Sequence, residues 1–164
     1  MKNKLPLIIG VVAMVIAIIV ALVVVLGGNK DDKKEEGAVT LNLEEVSAKI
    51  TENSAFAEMA SEPVSKDLLE MFFQVNPENV ENVVGKVPMM NVHASLYVIV
   101  EAKDGKVEDV KADLDEFCTQ YEQQWERYLP EQYDLVKARK TGVKGNYAYV
   151  IIAENAGELE GMIK

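Results

Sequence analysis

"NVHASLYVIVEAKDGKVEDVKADLDEFCTQYEQQWERYLP", residues 91–130, carries two hydrophobic periods side by side, and their reading decides the fold. Val92, Ala94, Leu96, Val98, Val100 and Ala102 fall on one face at period two, with His93, Ser95, Tyr97, Ile99, Glu101 and Lys103 on the other. That alternation predicts a strand with one core face and one face at least partly wet. Asp104 and Gly105 turn the chain. Beyond them Val107, Val110, Leu114, Phe117, Cys118, Tyr121, Trp125 and Tyr128 keep the spacing of a single helical face for about six turns. Pro130 is expected to stop this helix.

Working outward toward the C-terminus, "DLVKARKTGV" (134–143) and "NYAYVIIAE" (146–154) read as two further strands. The "KGNY" between them puts Gly145 and Asn146 at the centre of a type II′ hairpin turn. A strand-helix-strand crossover followed by a hairpin predicts three strands in the order 1-3-2. Tyr147 to Ala153 is apolar on both parities, as suits a middle strand. Asn155, with Glu158 three residues on, caps a last short helix. Toward the N-terminus, Asn42 is an N-cap with Glu45 at the capping-box position, and Leu41 and Val46 form a hydrophobic staple. A helix from Leu43 to Glu52 then buries Leu43, Val46 and Ile50. Ser65 caps a short helix over "KDLLEMFF". Asn76, Pro77 and a terminating Gly85 predict a second one, which Pro88 prevents from continuing. The expected class is α+β: a small, mainly antiparallel sheet with helices on one face, partly ferredoxin-like.

Ahead of this domain lies a segment of another kind. Leu7 to Leu26 is a run of 20 residues without a charge, and a helix of that length spans about 30 Å, the thickness of the bilayer hydrocarbon. It exceeds the apolar stretch of a cleavable signal and ends in "VVVLGGNKDD", without an Ala-x-Ala site. The reading is a retained signal anchor. Lys2 and Lys4 precede it and Lys30, Lys33 and Lys34 follow it, so lysine counts do not orient it. A short N-terminal tail before one span and a large domain implies a single-pass cell-membrane protein with its domain outside the cytoplasm. Gly10, Ala13, Ala17 and Ala21 stripe one face of the span and are candidates for self-association of the anchor. The resulting division is an anchor over 1–28, a charged linker over 29–37 and an extracytoplasmic domain over 38–164.

Residues 38–164 hold 12 basic and 23 acidic side chains, a net charge of −11. Such a surface repels phosphate backbones, which argues against nucleic acid as a partner. The single cysteine, Cys118, rules out an internal disulfide. It sits on the apolar stripe of the long helix, where a thiol behaves as a small hydrophobe. His93 is the only histidine, and with Cys118 it supplies too few soft ligands for a zinc site. The acids Glu108, Asp109, Asp113, Asp115 and Glu116 spread over a solvated helix face and lack the calcium-loop pattern. Gly27 and Gly28 close the apolar span and do not link a strand to a helix, so no phosphate loop is present. No cofactor is expected. Met89 and Met90 offer an adaptable apolar patch, and Trp125, Tyr128 and Tyr133 an aromatic platform. These five residues are the candidate partner surface.

The stretches "PMMNV" (88–92), "AKDGKVEDV" (102–110), "PEQY" (130–133) and "KGNY" (144–147) give the chain a resemblance to a family of bacterial extracytoplasmic proteins, domain of unknown function 4358. It covers roughly Leu43 to Asn155. Many members are described as lipoproteins, whereas this chain has no cysteine behind its apolar run, which favours anchoring by the helix itself. The shared pieces are structural punctuation, and the resemblance implies no catalytic residues. The expected function is a membrane-anchored extracytoplasmic interaction or ligand-binding module without catalysis, meeting the bilayer through its N-terminal helix and an unknown protein or cell-envelope ligand through its domain. The alternative is an extracytoplasmic hydrolase using His93 or carboxylates.

Overall fold

Asn42 opens the first element. In the computed structural model, which describes residues 39–163, its side-chain oxygen accepts from the Glu45 N–H at 3.2 Å and starts α1, Leu43–Thr51, with Leu43, Val46 and Ile50 buried. A one-turn helix, α2 (Ser54–Ala57), and a three-residue strand, β1 (Ser61–Pro63), follow. Ser65 then caps α3, Lys66–Phe73, its Oγ accepting from the Leu68 N–H at 3.1 Å. Gln74 ends α3 in the left-handed conformation, at φ 58°.

The second short helix expected behind Asn76 is a correction. Asn76 and Pro77 start only a 3-10 turn, Pro77–Asn79, and the chain continues as β2, Val80–Pro88. Gly85 lies inside β2 and does not end a helix. A Cβ there would run into the Tyr97 carbonyl oxygen and the Val64 side chain, so its value is the close approach of backbones. β3 spans Leu96–Ala102, beginning later than the alternation suggested, and Val92 is left 46% exposed in the preceding loop.

The long helix, α4, runs Val107–Trp125 and buries Val110, Leu114, Phe117, Cys118, Tyr121 and Trp125, as its period requires. It stops before Tyr128, which was expected on the buried stripe and is 57% exposed. Pro130 begins a helix instead of ending one. It stands at the first position of α5, Pro130–Lys137, where its missing N–H costs nothing. The run expected as one strand from Asp134 is therefore helical to Lys137, and β4 covers only Lys140–Lys144. β5, Tyr147–Ile152, and α6, Ala156–Glu160, complete the order. In the β4–β5 turn the positive φ falls on Gly145 alone, at 58°.

Among the described residues the sheet has five antiparallel strands in the order β1-β2-β3-β5-β4. This replaces the expected three strands in the order 1-3-2. The three foreseen strands are neighbours as β3-β5-β4, and β2 and β1 extend the sheet beyond β3. β3 and β4 both oppose β5, so they run parallel and are joined across it by α4 and α5. Helices cover both faces, not one. Leu96, Val98, Val100 and Ala102 pack with Phe73, Leu114, Phe117, Trp125 and Val136 from α3, α4 and α5. Tyr97 and Ile99, read as partly wet, are 0% exposed because Val46, Ile50, Phe56 and Leu159 from α1, α2 and α6 close over them. Each such large apolar side chain, fully buried, contributes about 1.5–3 kcal/mol.

The segment read as the membrane anchor, with Gly10, Ala13, Ala17 and Ala21, lies outside the described residues. Among the described residues no helix is long and apolar enough to cross a membrane.

Candidate functional site

The loop between β2 and β3, residues 89–95, is held at both ends. At its start the Met89 N–H donates to the Ala60 carbonyl at 2.9 Å, prolonging the β1–β2 ladder. At its end the Ala94 N–H donates to Gln132 Oε1 at 2.7 Å, and the Ala94 carbonyl accepts from the Tyr121 hydroxyl at 3.3 Å. Gln132 belongs to α5 and Tyr121 to α4, so the loop exit is clamped from two helices. Between the clamps Met89 is 66% and Met90 50% exposed.

Three successive loop residues each line a different cleft. Asn91 shares one of about 290 Å³ with Gln124, Trp125 and Tyr128. Val92 shares one of about 470 Å³ with Leu129, Pro130, Glu131 and Gln132. His93 and Ser95 border the largest, of about 730 Å³, with Glu58, Gln132, Glu154 and Glu158 among its walls. Asn155 also reaches that cleft. Its Nδ2 donates to Asn53 Oδ1 at 2.9 Å and to Glu158 Oε2 at 3.0 Å, tying the α1–α2 connection to α6, while its Oδ1 is buried without a partner among the described residues.

The loop stands at one end of the sheet. At the other, the Ala102 N–H that ends β3 donates to Asn146 of the hairpin turn at 2.8 Å, and Val39 lies 3.2 Å from where a Gly145 Cβ would stand. The Leu41 N–H donates to the Tyr147 hydroxyl nearby, at 3.2 Å. The described chain thus enters beside the Gly145 turn, and the loop with its clefts is one strand length away, about 20 Å.

The structure divides the candidate partner surface. Met89, Met90 and Tyr128 are exposed. Trp125 is 2% exposed, its ring 5.6 Å from that of Tyr128 and 5.9 Å from that of Tyr121. Its indole N–H has no acceptor among the described residues. Tyr133 lies apart, in a separate cleft with Thr119, Glu122 and Glu126, and Lys137 Nζ stands 4.4 Å over its ring. Cys118 is 2% exposed, and burial pushes its thiol from the ordinary 9.0 up to about 11, against the pull of the Arg139 guanidinium. It does not line the His93 cleft. Among the described residues no three His, Cys, Asp or Glu side chains converge closely enough to hold a metal ion.

Sequence reasoning missed Val92 and Gln132; it placed Glu154 at the end of a strand and read Glu158 only as part of a helix cap. Val92 was assigned to the strand, and nothing in an isolated Gln132 announces that it clamps a loop 38 residues away in sequence. The glutamates line the same cleft as His93, a placement that local pattern does not encode.

Fold and site define an α+β protein on a five-stranded antiparallel sheet, with an apolar loop and an acidic, histidine-containing cleft at one end. The chain belongs to the family described as Domain of unknown function (DUF4358), whose model matches residues 53–153. No curated protein and no solved structure matches it.

Proposed function

We propose that the protein is a membrane-anchored extracytoplasmic interaction or ligand-binding module, without catalysis, that meets its partner through the end of the sheet bearing the 89–95 loop. One observation carries the reading. Of the six large apolar side chains exposed among the described residues, four are Met89, Met90, Val92 and Tyr128, and the clefts at Asn91 and Val92 join this loop to the α4–α5 connection. Soluble domains rarely gather exposed apolar side chains in this way without a binding role, and methionines adapt to a partner's shape.

Photo-crosslinking in intact cells tests this, with the reactive group at position 90 or 128 and, as a control, at Lys103 on the opposite end. Discrete adducts from positions 90 and 128 that Lys103 does not give are expected. Equal adducts from all three would remove the basis for a binding surface at the loop. The hydrolase alternative rests on the cleft of about 730 Å³ that His93 lines together with Glu58, Glu154 and Glu158. A His93→Ala chain that keeps its cellular role removes the histidine from it, leaving only the carboxylates to carry it.

A further inference from the structure

Charge is segregated within this acidic domain. From Leu135 to Ala153 the chain holds four cations, Lys137, Arg139, Lys140 and Lys144, and no acid, whereas the rest of residues 38–164 carries 23 acids against eight cations. These cations sit on β4 or just before it, and among the described residues β4 is the last strand of the sheet, paired on one side only. Across the two-residue turn Lys144 pairs with Tyr147. The ladder therefore bonds Lys140, Gly142 and Lys144 to β5 and turns the N–H and C=O groups of Thr141 and Val143 outward. The bond from Ala102 to Asn146 sets the matching parity on the far side of β5. Among the described residues no hydrogen bond reaches those four outward groups. Val143 is 39% exposed, and neither proline nor a register shift interrupts the strand.

An open edge of this kind is a template for another strand, and lysine on it is a guard against self-pairing. Two copies joined antiparallel about Gly142 would set Lys140 directly opposite Lys144 on one face, which like charges disfavour. A strand of opposite charge meets no such barrier. Lys137 and Arg139 are already paired, with Asp134 at 2.8 Å and Glu122 at 2.6 Å, and Lys144 Nζ holds the Ile163 carbonyl at 2.7 Å. Lys140 makes no ion pair among the described residues and is exposed.

We propose that the free edge of β4 is a second docking site, which takes up an extended acidic segment of a partner polypeptide as an added strand. Two carboxylates four residues apart reach Lys140 and Lys144 from one face of that strand. On the other face a β-branched side chain lies beside Val143. The main-chain bonds go to Thr141 and Val143, and the alternating acids supply selectivity. This site is independent of the loop at the end of the sheet.

The test titrates the whole 164-residue chain, in non-ionic detergent, with a short fluorescent peptide containing EVTVE and with its KVTVK counterpart. The acidic peptide is expected to bind about tenfold tighter or more, to weaken with salt, and to slow hydrogen exchange at the Thr141 and Val143 amides. Lys140→Glu, a surface change, should remove that preference. Val143→Pro deletes an outward N–H while sparing the β5 ladder, and should abolish binding. Equal binding of the two peptides, protection confined to residues 89–95, or no saturable binding up to about 1 mM would overturn the proposal.

Discussion

Tyr97 shows how much rests on one side chain. It sits at the centre of the sheet at 0% exposure, edge-on to Phe56 with ring centroids 5.1 Å apart. Its hydroxyl meets Ser47 Oγ at 2.8 Å and Thr51 Oγ1 at 2.9 Å, so a buried phenol pins α1 to β3. Tyr97→Phe keeps the ring and removes the pin, and is expected to lower stability by about 1–2 kcal/mol in urea unfolding. Tyr97→Ala should cost about 3–5 kcal/mol. Three buried weak acids, Cys118, Tyr121 and Tyr149, are expected to lower stability in alkali. Burial raises Cys118 from 9.0 to about 11 and Tyr121 from 10.0 to about 12. Both are weaker acids folded than unfolded, so the folded state holds more protons above pH 9 and its stability falls as pH rises. The Cys118 contribution is whole below about pH 9 and is lost by about 11, with Tyr121 following one unit higher. Cys118→Ala should flatten the loss between pH 9 and 11 in denaturation midpoints, and an unchanged slope would show that the thiol is not the group responsible.

At the scale of elements, β2 is where sequence and structure part. "NPENVENVVGKVP" carries strong helix punctuation, and Asn76 and Pro77 do open a 3-10 turn, but the next nine residues pair with β3. Tertiary pairing overrides the local signal because Val80 and Val87 are buried against α3, α4 and the 64–75 segment. Gly85→Ala tests the register. The added methyl meets the Tyr97 carbonyl, Val64 Cγ2 at 2.9 Å and Val98 Cα at 3.0 Å, two of them backbone that cannot swing aside. A loss of about 1–3 kcal/mol is expected. A neutral result in chemical denaturation would mean that β2 and β3 do not approach as described. The strands and helix that local period alone determines, β3, α4 and β5, were legible in outline. Helix layers on the second face were not, because burial of Tyr97 and Ile99 depends on α1, α2 and α6 arriving from remote sequence.

For the whole molecule the question is what holds the domain together and what holds it in place. Both core clusters are closed among described residues: one joins β3 to α3, α4 and α5, the other joins it to α1, α2 and α6. The described residues fall within one compact unit, Glu36–Lys164. Cohesion is expected from these two clusters, whereas membrane residence, in the function proposed above, needs the apolar run at Leu7–Leu26. Removing residues 1–35 should separate the two properties. The shortened chain is expected to unfold cooperatively with its stability unchanged within about 0.5 kcal/mol, the range of substitutions that touch no core. It should also leave the membrane fraction for the carbonate supernatant, while the 164-residue chain stays with the membrane. If the full chain is extracted by carbonate as readily as the shortened one, Leu7–Leu26 does not anchor it. If the shortened chain loses its cooperative transition, the two cores are not sufficient, and residues before Glu36 contribute packing that the proposed division into anchor, linker and domain does not allow.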